Sequence, residues 1–174
     1  GFFDDLVVPF RDLSKDNILR ADTSLEKLAT LKPAFDKRSG KGTLTAGNST
    51  NLSDGASVAL LSSEQWATEH NKEIQAYLVD AQVAAVDFVG GDGLLMAPAW
   101  AVAQLLKRNN LSLQDFDFYE IHEAFAAQVL CTLKAWESEE FCKEKLGMDN
   151  ALGSIDRSKL NVVGSSLALG HPFA

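Results

Sequence analysis

The 174 residues suffice for one domain or half of a larger one, and 46% apolar with 23% charged residues is the composition of a folded domain, not of a disordered chain. A net charge of −8 and an isoelectric point near 4.8 oppose non-specific binding to nucleic acid or to acidic membranes, which rely on basic surfaces. Any anionic ligand must therefore meet a local cluster of donors.

Cys131 and Cys142 form neither a disulfide scaffold nor a CxxC motif, and they suit a reducing cytosol or organelle matrix. The longest apolar stretch, residues 74–89, is interrupted by Gln75, Asp80, Gln82 and Asp87, so no membrane span is expected; no signal peptide is recognisable at the start. The chain opens on Gly1 and stops at His171-Pro172-Phe173-Ala174, which reads as a segment of a longer polypeptide.

Residues 2–10 mix apolar and acidic side chains without periodicity, and Pro9 opposes a helix. Thr23-Ser24-Leu25-Glu26 has the form of a capping box, with Thr23 as cap and Glu26 reaching back. Leu25, Leu28 and Leu31 continue one apolar face until Pro33. Residues 42–55, rich in Gly, Ser, Thr and Asn, form a surface loop; Asp54 is placed to cap the next segment. Residues 56–61 are an apolar run readable as a strand or a buried helix. Residues 63–71 suggest a short helix, and residues 74–86 alternate like a strand.

Gly90-Gly91-Asp92-Gly93 breaks the chain, and Pro98 suits the first turn of a helix to about Arg108 that carries Ala101, Val102, Leu105 and Leu106. Residues 116–121 alternate as a half-buried strand. From His122 to Trp136 the spacing of Phe125, Val129, Leu133 and Trp136 is helical. Residues 138–157 form a polar insert of helix and loop. Leu160-Asn161-Val162-Val163 reads as a short strand ending at Gly164. The alternation of strand and helix describes an α/β layered unit with covered sheet faces.

Three histidines are present. His70 sits at a polar helix end and reads as a solvated surface residue. His122 follows a predicted strand and opens a helix, where side chains reach the carboxyl edge of a sheet. His171 follows a segment bounded by Gly164 and Gly170, which permit positive φ or close backbone approach. If their strands are neighbours, the two imidazoles converge on one reacting atom, one as base and one as donor to a developing oxyanion. His122-Glu123 is not the start of HExxH, because position 126 is alanine; no metal site is expected. The two cysteines read as an inert buried thiol, Cys131, and an incidental one, Cys142.

Three segments together are similar to the thiolase superfamily: residues 42–56, which resemble the GTxTAGN…DGA loop; His122-Glu123-Ala124-Phe125, which resembles the HEAF variant of NEAF; and residues 164–172, which resemble GGS…GHP. HEAF, the insert at 134–146 and Ser154-Ile155-Asp156-Arg157 resemble the ketoacyl-CoA thiolases of fatty-acid β-oxidation. The resemblance implies a layered α-β-α-β-α fold, incomplete here. Residues 1–40 would end the substrate-covering loop region, 41–72 the N-terminal half, and 73–174 would be the C-terminal half up to a CxG motif. It also implies thiolytic cleavage of a 3-ketoacyl-CoA by CoA, with no covalent cofactor.

In that family a cysteine is acylated and a second cysteine moves protons. The first would lie upstream of Gly1 and the second, in CxG, beyond Ala174. His171 would activate the nucleophile, and His122 would complete the oxyanion site. Phe125 would line the acyl or pantetheine tunnel, and Glu123 would fix the local backbone. Ala46, Thr50 and Ser49 would contact the pantetheine arm, Phe35 would pack against it, and Arg20 would lie near the CoA nucleotide. The family resemblance further implies a homodimer or higher homo-oligomer, a hydratase–dehydrogenase subunit as partner, and a cytoplasmic location if bacterial or the mitochondrial matrix otherwise. Two other readings remain open: a non-catalytic thiolase-like protein that binds acyl-CoA or lipid, and a ketoacyl synthase.

Overall fold

The computed structural model describes Phe2 and residues 4–172. Gly1, Phe3, Phe173 and Ala174, and with them both chain ends, lie outside the described residues. The elements in order are α1 (Leu25–Ala29), α2 (Glu64–Glu69), α3 (Ala97–Asn109), α4 (Ala126–Glu137), α5 (Glu139–Glu144) and α6 (Ser166–Leu169), with 3₁₀ turns at Leu113–Asp115 and Arg157–Lys159.

Helices α3 and α4 pack together and carry the core. On α3 the inward face is Ala99, Ala103 and Leu106, spaced by three and four residues, all nearly inaccessible. The two alanines let the facing helix approach closely. Val129, Leu133 and Trp136 of α4 fill the space above them, joined by Met96, Leu113 and Ile155. Trp136 also donates its indole N–H to the Ala99 carbonyl at 3.4 Å. Burying each large side chain of this set is worth about 1.5–3 kcal/mol. The periodicity expected of α4 holds, with Val129, Leu133 and Trp136 buried and Phe125 at the edge; on α3 only Leu106 of the four expected residues is buried, Ala101, Val102 and Leu105 are half-buried, and Ala99 and Ala103 carry the inward face instead.

Several boundaries differ from expectation. The N-cap of α1 is Ser24, not Thr23: Ser24 has the extended φ of −142° a cap needs and accepts from the Lys27 N–H. Thr23 instead donates its hydroxyl to the Arg20 carbonyl at 2.9 Å. The helix ends at Ala29, before Pro33. His122 does not open α4, which begins at Ala126 behind a Phe125 cap. Asp54 precedes a stretch without regular secondary structure and caps no helix.

The segments read as strands form no ladder among the described residues; only isolated bridges occur, two of them parallel, Leu52 to His171 and Tyr119 to Leu160. A strand needs a neighbour to pair its N–H and C=O groups, and residues 56–61 and 74–86 have none among the described residues. Their apolar side chains stand open, Val58 at 98% and Val83 at 88% exposure. Residues 80–82 are instead tied to α3 by side chains. Arg108 donates to Asp80 from Nε and Nη2, at 2.8 and 2.7 Å, and Asn109 donates to the same carboxylate. Arg108 and then Asn109 hold the Asp80 carboxyl down to about 2.

The two cysteines exchange the places expected of them. Cys142 is fully buried and its thiol faces the Ala135 and Trp136 carbonyls at 3.5 and 3.4 Å. Cys131 is exposed, because it lies away from the face of α4 that Val129, Leu133 and Trp136 bury. His70 is exposed and stacked on Trp66, ring centroids 4.1 Å apart. No described helix is long and apolar enough to cross a membrane.

Candidate active site

The site is built around residues 48–52, a strap hydrogen-bonded to two segments distant in sequence. On one edge Thr50 N–H donates to the Ala124 carbonyl at 2.9 Å and Ala126 N–H donates to the Asn48 carbonyl at 3.0 Å, an antiparallel bridge centred on Ser49 and Phe125. On the other edge His171 N–H donates to the Asn51 carbonyl at 2.7 Å. The Thr50 hydroxyl donates to the Ser166 carbonyl at 2.7 Å. One strap thus fixes the segment that carries His122 and the one that carries His171.

The strap is itself held from the N-terminal side. Asn48 closes a turn, its Oδ1 accepting from the Thr45 N–H at 2.7 Å and its Nδ2 donating to the Thr43 carbonyl at 3.0 Å. A β-carbon on Gly47 would stand 2.5 Å from Leu28 Cδ2 and 2.8 Å from Leu31 Cδ1, so glycine is what lets the loop lie on Leu28 of α1 and on Leu31 just beyond it. Ala34 N–H donates to the Leu44 carbonyl at 2.7 Å, which carries Phe35 over the site.

The imidazoles of His122 and His171 meet edge to face, centroids 4.1 Å apart. Partial burial of the His122 ring, and then the positive field of His171, push its pKa below 6.5, with Glu123 opposing. Two imidazoles at this distance cannot both charge cheaply, so near neutrality His122 is an uncharged imidazole, able to act as a donor or a base. The glycines flanking the His171 segment have the positive φ the sequence suggested, +97° at Gly164 and +92° at Gly170.

The remaining sequence-predicted residues divide. Ser49, Thr50, Phe35 and Phe125 gather here, the two phenylalanine rings in a T at 5.7 Å. The two rings line a cleft of about 890 Å³ together with Leu94, Met96, Leu130 and Cys131. The Ser49 hydroxyl is buried with no hydrogen-bond partner, as are Ser166 Oγ and Gln128 Oε1; buried polar atoms in this state are rare. Ala46 is exposed on the loop before the strap. Arg20 is not drawn into the cluster: it is exposed, and its charge acts on Asp22.

Asn161 was missed by sequence reasoning. Its Oδ1 accepts from the Ile121 N–H, and its Nδ2 donates to the Ile121 carbonyl and to Glu123 Oε1, each at 2.8 Å. The signal was an asparagine amid Leu160, Val162 and Val163, since asparagine is depleted in strands.

Residues 1–65 match the family profile described as Thiolase, N-terminal domain, and residues 72–174 the one described as Thiolase, C-terminal domain. The chain belongs to the thiolase family. It is 44% identical to the 3-ketoacyl-CoA thiolase of Shewanella loihica over 169 residues, 97% of this chain and 38% of that protein. Its fold is similar to the dimeric peroxisomal thiolase of Saccharomyces cerevisiae, with a TM-score of 0.78 at 34% identity over 99% of this chain and 39% of that one. It is also similar to human mitochondrial 3-ketoacyl-CoA thiolase in complex with CoA, with a TM-score of 0.68 at 34% identity over 90% and 34% of the two chains.

The chain therefore has the thiolase fold and spans 38% of the length of the Shewanella relative. The unladdered segments are compatible with that fold: the path of the backbone is thiolase-like even where no described neighbouring strand pairs with it.

Proposed function

We propose that the protein carrying this chain is an acyltransferase that cleaves 3-ketoacyl-CoA with CoA, giving acetyl-CoA and a shortened acyl-CoA, and that the reverse condensation uses the same groups. The observation that carries this reading is the pair of imidazoles 4.1 Å apart, both hung from the strap that also bears Ser49 and Thr50. In this reading the two cysteines of the reaction lie outside the 174 residues. Cys142 faces carbonyls in the core, and Cys131 lines the apolar cleft.

His171 would take the proton of the nucleophilic thiol, since thiolate is the reactive form. Attack on the ketone carbon makes an alkoxide, which His122 would stabilise as a donor, directly or through water. Collapse breaks the bond between the two carbonyl-bearing fragments, the departing carbanion takes a proton from the second cysteine, and CoA thiolate then relieves the acyl-enzyme. The orphan Ser49 hydroxyl supports a polar contact to the pantetheine arm. Thr50, Ala46, Phe35 and Phe125 would line that arm and the acyl chain, and Arg20 would meet the nucleotide. Glu123 would hold the backbone beside His122.

On the same reading residues 1–40 end the substrate-covering region, 41–72 the N-terminal half, and 73–174 run up to the CxG motif. The names of the relatives support a place in fatty-acid β-oxidation. The dimeric yeast thiolase supports a homo-oligomer, and the hydratase–dehydrogenase subunit remains part of the proposal through the HEAF resemblance. Bacterial relatives favour the cytoplasm and the human neighbour the mitochondrial matrix.

The test is to assay the whole natural polypeptide and the isolated 174 residues with a 3-ketoacyl-CoA and CoA, following acetyl-CoA by mass. The whole polypeptide should release acetyl-CoA and the isolated chain should release none. Binding without turnover by the whole polypeptide would favour the thiolase-like binding protein, and turnover by the isolated chain would refute the placement of the nucleophile.

A further inference from the structure

Just before His122 the chain runs beside residues 159–161, and the pairing there is unusual. Tyr119 N–H donates to the Lys159 carbonyl at 3.0 Å and Asn161 N–H donates to the Tyr119 carbonyl at 2.9 Å, the bonds of a parallel bridge. The next rung should come from residues 162 and 163. It cannot, because Asn161 turns left-handed, with φ of +48°, a conformation that asparagine tolerates better than β-branched residues do. The Asn161 side chain supplies the missing rung: its amide pairs with both the N–H and the C=O of Ile121, and its remaining hydrogen reaches Glu123 Oε1. Both Nδ2 hydrogens are then in use.

His122 stands between those two anchored residues. The same asparagine also roots the other histidine's segment, since its carbonyl accepts from the Gly164 N–H at 2.8 Å. Ser165, next along, donates its hydroxyl to the Ile121 carbonyl at 3.4 Å. One residue therefore ties the approach to His122 to the turn that leads, through α6, to His171.

We propose that Asn161 is the positioning residue of the imidazole pair, clamping the chain on both sides of His122 and holding the turn to His171 in register with it. The kinetic part of this assignment rests on the thiolytic reading; the geometric part does not. A side chain that only closed a turn would affect stability alone, whereas a positioning residue moves kcat, its pH dependence and the contact between the rings.

The experiment compares Asn161→Gly and Asn161→Asp in the whole natural polypeptide. Glycine keeps the left-handed backbone and removes the clamp: kcat should fall about 10²-fold, the scale for displacing a catalytic group by about 1 Å. KM for CoA should stay within about threefold, and the NMR cross-peaks between the two rings should weaken. Aspartate keeps the acceptor for the Ile121 N–H and the backbone tolerance, but sets a second carboxylate beside Glu123. It should cost less in kcat and shift the acidic limb of kcat/KM upward, because negative charge favours imidazolium. His171 and Glu123 are the other titrating groups acting on His122.

Values of kcat within about threefold of the unsubstituted protein, with an unmoved acidic limb and intact ring cross-peaks, would overturn the proposal. If neither variant folds, hydrogen exchange in the unsubstituted protein decides. The Asn161 side-chain amide should exchange far more slowly than a free amide, and exchange at the free rate overturns the clamp. If the unsubstituted polypeptide proves inactive, the thiolytic reading fails while the cross-peaks and exchange still decide the role of Asn161.

Discussion

Replacing His171 with alanine in the whole natural polypeptide is expected to slow acyl-enzyme formation by about 10²–10⁴-fold, the usual contribution of a positioned general base. Its effect on CoA affinity should stay within about threefold. The asymmetry follows from the geometry. The His171 backbone is held by the Asn51 carbonyl, and truncation at Cβ leaves that bond and the strap in place. The residues proposed to line the pantetheine arm, Ser49, Thr50 and Phe35, hang from the strap and from the segment paired with Leu44, not from the imidazole. Only the ring facing His122 is lost. Rapid-quench measurement of the acylation burst beside calorimetric titration with CoA separates the two quantities, and equal losses in both would contradict the role given to His171.

Gly170→Ala is expected to destabilise the chain by about 2–6 kcal/mol. The φ of +92° and ψ of 177° at this residue lie in a region essentially reserved for glycine, where other residues pay about 1–3 kcal/mol. A β-carbon would also stand 2.7 Å from Ser53 Cβ and 3.0 Å from Ile18 Cδ1, and overpacking of this kind costs about 1–3 kcal/mol more. Since the stability of a typical domain is about 5–15 kcal/mol, the loss takes a large share of it. It falls on the residue immediately before His171, so relief of the clash displaces the imidazole as well. A denaturant midpoint unchanged at constant m-value would show that the turn has more room than the structure gives it.

What the sequence disclosed, and what it did not, divides along the range of the interactions. Helices α3 and α4 were readable because their inward faces recur at helical spacing and Pro98 marks the start of α3. The two histidines of the pair were readable because each stands where polar chemistry interrupts an apolar pattern. The α1 cap fell one residue away because Thr23 and Ser24 are both good caps, and backbone geometry at Ser24 chose between them. The strands read from the sequence did not form as ladders, because pairing is a property of two segments, and residues 56–61 and 74–86 have no described neighbour. Cys131 and Cys142 were interchanged because exposure depends on which face of α4 is covered. Asn161 escaped notice because its hydrogen bonds span some forty positions, from Asn161 to Ile121, and no local pattern marks them. The strap could be recognised as a glycine-rich loop, but its two edges, with Ala124 and Ala126 on one side and His171 on the other, are tertiary facts.

The imidazoles of His122 and His171 come from segments far apart in the chain, and their contact has a sign in pH. His122 is harder to protonate in the folded chain than in an unfolded one, so the stability it contributes is present above the unfolded value near 6.5 and is lost as pH falls through its lower folded value. The most direct measurement is an NMR pH titration of the His122 imidazole in the 174-residue chain and in its His171→Ala variant. The structure predicts a titration below 6.5 in the first and a rise toward that value in the second, with cross-peaks between the rings before substitution. An ordinary, identical titration in both, without cross-peaks, would contradict it.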